Sequence, residues 1–193
     1  IVTAIDTTGS RGFWIQDAFG DGNDATSDAI FVFTNAIPTV HVGDWAHVTG
    51  TVDEYNGGIA TNLSITEIVA QTVDVIGTGT VAATVLGAGG RAIPNTVIDD
   101  DHLGSFDPAT DGVDFYESIE GMLVTIHNAQ ATVSTYQGQT WVVADNGADA
   151  TGLNDRGGVT VSDGDNNPER ILVYADSGVN PGFNSAYVLG DQL

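Results

Sequence analysis

The sequence contains no cysteine and no lysine, and only four of its 193 residues are arginine. Without cysteine, the chain forms neither a disulfide framework nor a thiolate metal site. The scarcity of positive charge excludes the clusters of lysine and arginine with which proteins neutralise nucleic acid phosphates. No stretch approaches the roughly 20 consecutive apolar residues that a membrane-spanning helix needs. The fold must therefore rest on an apolar core rather than on covalent cross-links.

Acidic residues dominate the charge: 21 Asp and five Glu give a formal net charge of −22 at pH 7. Hydrophobic residues still make up 41% of the chain, so the acidity does not indicate disorder. Asp is typical of turns and of oxygen-rich cation sites, whereas Glu favours helices. The charge therefore has two interpretations, cation binding or solubility in salty water. Direct binding of nucleic acid is disfavoured, because the field of the whole protein repels phosphate.

The hydrophobic pattern predicts an all-β chain, since short Val-, Ile-, Thr- and aromatic-rich runs alternate with clusters of Gly, Asn and Asp. Strands are predicted at residues 1–6, 12–17, 29–34, 44–55, 59–69, 121–133, 139–145, 158–162 and 170–176. One short helix is predicted at residues 113–119. A Gly-rich stretch before Pro94 indicates a linker. The predicted organisation is a first unit at residues 1–77, a connecting region at 78–105 and a second unit at 106–193.

The two units contain an internal repeat. FWIQD at residues 13–17 is echoed by TWVVAD at 140–145, IFVFT at 30–34 by ILVYA at 171–175, and VGD at 42–44 by LGD at 189–191. In the first unit this Gly-Asp opens a long strand that another strand follows, whereas in the second unit two residues follow it. The second unit is therefore expected to lack its last two strands, and Ile1 to begin partway into the first strand.

Two explanations of the missing strands stay open. Either the chain is a fragment of a larger protein, or a neighbouring chain supplies the strand by β-strand addition. Such a head-to-tail contact makes a homo-oligomer if it closes and a filament if it does not.

A family resemblance rests on GFWIQD at residues 12–17, SDAIFVFT at 27–34 and VGDWAHVTGTV at 42–52. The second half adds FDPATDGVDFYESIEGMLV at residues 106–124, WVVADNG at 141–147 and NPER at 167–170. Together these motifs resemble the OB-fold accessory region of large secreted bacterial nucleases of the endonuclease/exonuclease/phosphatase type. The resemblance covers most of the chain. It implies tandem OB-like small β-barrels, the second incomplete at its C-terminal end, in an extracellular, multidomain parent.

The residues themselves agree with an OB-fold, because five short strands with one long fourth strand suit a small closed barrel. Gly50 in that long strand predicts a bend or a bulge. We therefore expect a non-catalytic accessory or assembly module. The alternatives are a filament subunit completed by strands from its neighbours, and a module that positions DNA for a covalently linked nuclease domain.

Oxygen-rich loops are candidate Ca²⁺ sites, because Ca²⁺ takes six to eight oxygen ligands. The first candidate loop contains Asp163, Asp165, Asn167 and Glu169, and the second contains Asp107, Asp111 and Asp114. Neither loop has a glycine and a Glu at the positions that the EF-hand pattern requires. The alternative for each loop is an ordinary solvated turn.

Four aromatic residues, Trp14, Phe31, Phe33 and Trp45, lie on strands that form the ligand face in many OB-folds. Such residues stack on bases, but they also pack inside small barrels or between units. Phe13, Ile15, Ile30 and Val32 alternate with them, and packing in the core or between units is the favoured interpretation. The four histidines have no metal-ligand spacing, and the sequence has neither a nucleophile elbow nor a phosphate-binding loop. We therefore predict no catalytic residues.

Overall fold

The protein is almost entirely β-structured in a computed structural model that describes residues 1–183 and 185–193. The strands are β1 (Val2–Asp6), β2 (Gly12–Gln16), β3 (Ala29–Phe33), β4 (Asp44–Tyr55), β5 (Ile65–Thr78), β6 (Thr84–Leu86), β7 (Val124–Ile126), β8 (Gln130–Ala131), β9 (Gln139–Val143) and β10 (Ile171–Tyr174). One α-helix, α1 (Gly112–Glu117), and a 3-10 turn at Asp145–Gly147 complete the regular structure. The all-β prediction is confirmed. Within the described ranges, no helix has the length and apolar character to cross a membrane.

The chain forms two compact units. Unit 1 comprises Ile1–Ala83 and Ile119–Leu123, and unit 2 comprises Thr84–Ser118 and Val124–Leu193. The short segment Ile119–Leu123 is tied into unit 1 by hydrogen bonds. The Leu123 N–H donates to Oε1 of Gln16 at 2.8 Å, and the Ser27 hydroxyl donates to the Glu120 carbonyl at 2.6 Å.

Unit 1 is built on a five-stranded sheet with the order β1-β2-β3-β5-β4. All neighbours are antiparallel except β3 and β5, which run parallel. The order is not sequential, because β5 lies between β3 and β4. The register of the long β4–β5 hairpin shifts between Thr49 and Gly50, which confirms the predicted bulge. At the start of β4, the Gly43 N–H donates to the Val2 carbonyl of β1 at 2.9 Å.

The core of unit 1 lies on one face of this sheet. Val2, Phe13, Val32 and Val40 are buried together, and Ile15 packs against them partly buried. Of the four alternating residues, Phe13, Ile15 and Val32 thus belong to this core, whereas Ile30 is only half-buried. Phe13 and Val32 are cross-strand partners on β2 and β3. Because successive side chains of a strand point to opposite faces, their neighbours Trp14 and Phe31 lie on the other face.

Unit 2 contains a three-stranded antiparallel sheet with the order β10-β9-β8, and a separate parallel pair, β6 and β7. The residues after Gly190 continue along β8. The Gly190 N–H donates to the Ala131 carbonyl at 2.8 Å, and the Leu193 N–H donates to the Ala129 carbonyl at 2.9 Å. The bond from Gly190 to Ala131 is the counterpart of the bond from Gly43 to Val2 in unit 1. The sequence repeat is thus also a structural repeat.

Three predicted strands differ from the structure. The strand predicted at residues 59–69 is β5, which begins later at Ile65 and ends at Thr78. It begins later because residues 56–62 form turns, in which the Ile59 N–H donates to the Asn56 carbonyl at 3.3 Å and the Asn62 N–H donates to the Ile59 carbonyl at 3.0 Å. The strand predicted at 121–133 is divided into β7 and β8 by a turn in which Asn128 has a φ of 46°. At residues 158–162 only isolated bridges form, from Val159 to Leu153 and from Ser162 to Asp165.

Candidate cation and ligand sites

Three Asp side chains of unit 2 meet in one cluster. Asp99, Asp101 and Asp111 each place a carboxylate oxygen within 4.8 Å of the other two. Asp111 is buried at 4% exposure, and its Oδ2 accepts a hydrogen bond from the Asp100 N–H at 3.4 Å. Burial raises the pKa of Asp111, and the neighbouring carboxylates act in the same direction. This cluster, the Asp triad, can hold a metal ion.

The sequence predicted only one member of the Asp triad. Of the candidate set Asp107, Asp111 and Asp114, only Asp111 joins the cluster. Asp114 is buried, and its Oδ2 accepts a hydrogen bond from the Asp107 N–H at 2.6 Å, so this carboxylate fixes the loop before α1. Asp99 and Asp101 lie in the predicted connecting region. Their signal in the sequence is a run of three Asp residues at 99–101, but nine residues separate this run from Asp111.

The other candidate loop becomes more buried along its length. Asp163 is exposed in a turn, and the Oδ1 of Asp165 accepts hydrogen bonds from the N–H and the side-chain amide of Asn167. Asn167 and Glu169 are only 3% and 4% exposed. Among the residues that the structure describes, the oxygens Oδ1 of Asn167 and Oε2 of Glu169 have no hydrogen-bond partner. The loop therefore ends in two buried acceptors for which the described residues supply no donor.

Glu169 is held through its other oxygen. Oε1 accepts hydrogen bonds from the N–H of Thr151 at 2.8 Å and from its hydroxyl at 3.2 Å. Burial nevertheless raises the pKa of Glu169, and the charge of Asp165 acts in the same direction. Glu169 also lines a cavity of 20 Å³ together with Asp145 and Asp149, which has room for one water-sized species. A cation close to Oε2 would compensate the buried charge.

The four aromatic residues of the predicted ligand face do not form one platform. Trp14 and Phe31 are cross-strand partners with ring centroids 4.8 Å apart, and Phe31 is buried at 4% exposure. Trp45 is 46% exposed at the start of β4, opposite Gly77. Phe33 instead lines a groove with Tyr55 and two carboxylates, those of Asp53 and Glu67. The surroundings of Phe33 are therefore acidic.

The comparisons with known proteins bear mainly on unit 2. A family model described as a domain of unknown function, DUF8508, matches residues 85–193. Searches of curated proteins and of solved structures found no significant match. The matched residues are more than half of the chain, and they contain the Asp triad and the buried Glu169. The chain belongs to the DUF8508 family.

Proposed function

We propose that this chain is a non-catalytic accessory and assembly module of an extracellular protein, and that Ca²⁺ stabilises its unit 2. The observation that carries the proposal is the Asp triad. Three carboxylates this close repel one another, and burial of Asp111 increases the cost of its charge. A bound cation removes both penalties at once.

The donor set of the triad favours Ca²⁺ over transition metals. All its side-chain ligands are carboxylate oxygens, which suit hard cations, and the chain has no cysteine. Backbone carbonyls and water would complete a Ca²⁺ coordination shell. Extracellular modules bind Ca²⁺ with a Kd of about 10⁻⁴–10⁻³ M, which matches the calcium available outside cells.

The accessory role draws on the resemblance to secreted nucleases. The motifs that carry the resemblance lie in the strands and beside the acidic loops. We assign catalysis to none of the residues in these motifs. In this proposal, a covalently linked domain of the parent carries the nuclease activity. The contribution of this chain is a folded, highly acidic module with a cation site.

Calcium binding to the Asp triad is tested by isothermal titration of Ca²⁺ into the protein and two Asp→Asn variants. Asp101→Asn removes a triad ligand, so we expect its affinity for Ca²⁺ to fall roughly tenfold or more, since affinity follows the number of charged ligands. Asp100→Asn removes the same charge from the adjacent residue outside the triad, and is expected to change the affinity less than about threefold. Equal losses in the two variants would show that only the general negative field attracts the ion.

A second candidate function, assembly by β-strand addition, is favoured by the edge of β10. In unit 1, the repeat counterpart β3 pairs in parallel with β5. In the part of unit 2 that the structure describes, β10 pairs only with β9. Leu172 and Tyr174 on β10 are 39% and 55% exposed. An edge of this kind accepts a strand from another chain.

Light scattering after size exclusion tests assembly through β10. We expect the chain to elute with a mass above its 19.9 kDa at micromolar concentrations. Leu172→Lys places a charge on the edge strand and should restore the single-chain mass. Val161→Lys is the matched control, because Val161 is 61% exposed in unit 2 but lies outside the sheet. A wild-type mass of one chain at every concentration would contradict this candidate.

A further inference from the structure

A groove on unit 1 combines two carboxylates with two aromatic rings. It has a volume of 540 Å³, and its lining includes Phe33 of β3, Asp53 and Tyr55 of β4, and Glu67 of β5. None of these residues belongs to the Asp triad or to the buried network around Glu169. The groove therefore needs an explanation of its own.

The two carboxylates of the groove belong to neighbouring residues on adjacent strands. Asp53 and Glu67 are directly opposite partners in the antiparallel β4–β5 pair. Like charges at such positions destabilise a sheet, because their Cβ atoms are only about 4.5–5.5 Å apart. Glu67 is also the cross-strand partner of Phe31 on its other side. Its charge thus lies between a carboxylate and a buried aromatic ring.

Glu67 is buried but unpartnered. The residue is 6% exposed, its carboxylate oxygens open into the groove, and they make no hydrogen bond or ion pair with any residue that the structure describes. Burial raises the pKa of Glu67, and the charge of Asp53 adds to the effect. Glu54, on the neighbouring strand, shows the contrast. Its two oxygens accept hydrogen bonds from the hydroxyls of Ser64 and Thr66 at 2.7 and 2.8 Å, and these bonds lower its pKa.

The aromatic walls indicate which kind of cation suits the groove. The faces of Phe33 and Tyr55 attract organic cations through the negative charge of their π-systems. Tyr55 is 51% exposed, so a ligand reaches its ring directly. A metal ion requires more oxygen ligands than two carboxylates supply, and it gains little from an aromatic wall. An ammonium or guanidinium group on an aliphatic stem matches both the carboxylates and the rings.

We propose that this groove binds an aliphatic ammonium or guanidinium group, with Glu67 and Asp53 as its counter-charges and with Phe33 and Tyr55 as its walls. The group comes either from a lysine or arginine side chain of another protein or from a free polyamine. The net charge of −22 raises the local concentration of such cations at the surface. The groove is independent of the calcium site, so each can fail without the other.

The test is an NMR titration of the whole chain at low ionic strength with four probes. Three are cationic: spermidine, N-acetyl-lysine methylamide and N-acetyl-arginine methylamide. The neutral N-acetyl-norleucine methylamide is the control for apolar contact. We expect the cationic probes to shift the backbone amides of Asp53, Tyr55 and Glu67, and the neutral probe to leave these amides unshifted. Side-chain recognition predicts that the lysine and arginine amides bind, whereas recognition of polyamines predicts that spermidine alone does.

Two variants separate a specific site from the general negative field. Glu67→Gln should weaken binding about tenfold, as expected for loss of a largely desolvated charge-assisted contact. Glu54→Gln removes an equal charge from β4 outside the groove and should weaken binding less than twofold. Glu67→Gln should also melt no lower than the wild type at neutral pH, since it removes an unpaired buried charge. The proposal is overturned if no cationic probe shifts the groove amides, if the neutral probe shifts them equally, or if both variants weaken binding equally.

Discussion

Replacing Phe115 with alanine is expected to destabilise unit 2 by about 3–5 kcal/mol, the usual cost of removing a fully buried phenylalanine. Phe115 is 1% exposed on α1 and makes an edge-on contact with Tyr116. The Arg91 guanidinium lies 5.1 Å from the Phe115 ring centroid and donates to the Ser118 hydroxyl at 2.6 Å. A helix of six residues is too short to be stable alone, so its packing determines whether α1 forms.

Hydrogen exchange in moderate denaturant measures this loss in β9, the central strand of the three-stranded sheet of unit 2. Phe106→Ala is the matched control, because Phe106 is 54% exposed in the loop before α1. That variant should stay within about 0.5 kcal/mol of the wild type. If both variants lost the same protection, Phe115 would not be a core residue of unit 2.

Gly50→Ala is expected to destabilise the β4–β5 hairpin by about 1–3 kcal/mol, because a methyl group at this position overpacks the sheet. A Cβ on Gly50 would overlap the Val69 carbonyl oxygen and would lie 2.6 Å from Cγ2 of Ile68. The carbonyl belongs to the backbone of the paired strand, so it cannot move without breaking the register. The effect should appear as a lower midpoint in denaturant unfolding.

Gly77→Ala gives the opposite expectation in the same hairpin. The nearest atom to a Cβ on Gly77 is Cβ of Trp45 at 3.9 Å, an ordinary contact. Alanine there restricts the unfolded chain without strain and should be neutral or stabilise the protein by about 0.4–1 kcal/mol. A loss in Gly77→Ala as large as that in Gly50→Ala would show that the hairpin tolerates no side chain at either glycine. The bulge would then have no special role.

The strand repeat could be predicted because it is local. Alternating apolar residues mark β1 to β4, and the paired motifs correctly indicate that Trp141 and Leu172 are opposed as Trp14 and Phe31 are. The beginning of β5 was less predictable. Ile59 and Leu63 are apolar but exposed in the preceding loop at 54% and 52%, so hydrophobicity alone placed the strand too early.

The chemical sites depend on pairing that no local pattern contains. Asp53 and Glu67 oppose each other because of the register of the β4–β5 pair, which runs without a shift from Gly50–Ala70 to Tyr55–Ile65. The Asp triad brings Asp111, directly before α1, together with Asp99 and Asp101 in the predicted connecting region. Where carboxylates are close in sequence, their oxygens instead accept hydrogen bonds from backbone N–H groups of the same turn. In the loop before β3, for example, Asp21 accepts the N–H of Asn23 at 2.8 Å.

The acidic side chains of the chain therefore have different roles in the structure. Some carboxylates stabilise turns, three form the Asp triad, and two face each other in the groove of unit 1. Two of these arrangements bring like charges together at a cost in free energy, which a bound cation would offset. The proposed functions differ in which cation this is, a metal ion for the triad and an organic cation for the groove.

Thermal unfolding with and without calcium tests the central claim most directly. At constant ionic strength, about 1 mM Ca²⁺ should raise the stability of the chain over its value in a chelator by roughly 0.4–1.4 kcal/mol, if the Kd lies in the usual extracellular range. Asp101→Asn should lose this increase and Asp100→Asn should keep it. An unfolding midpoint that is the same in calcium and in chelator would contradict a calcium-stabilised module.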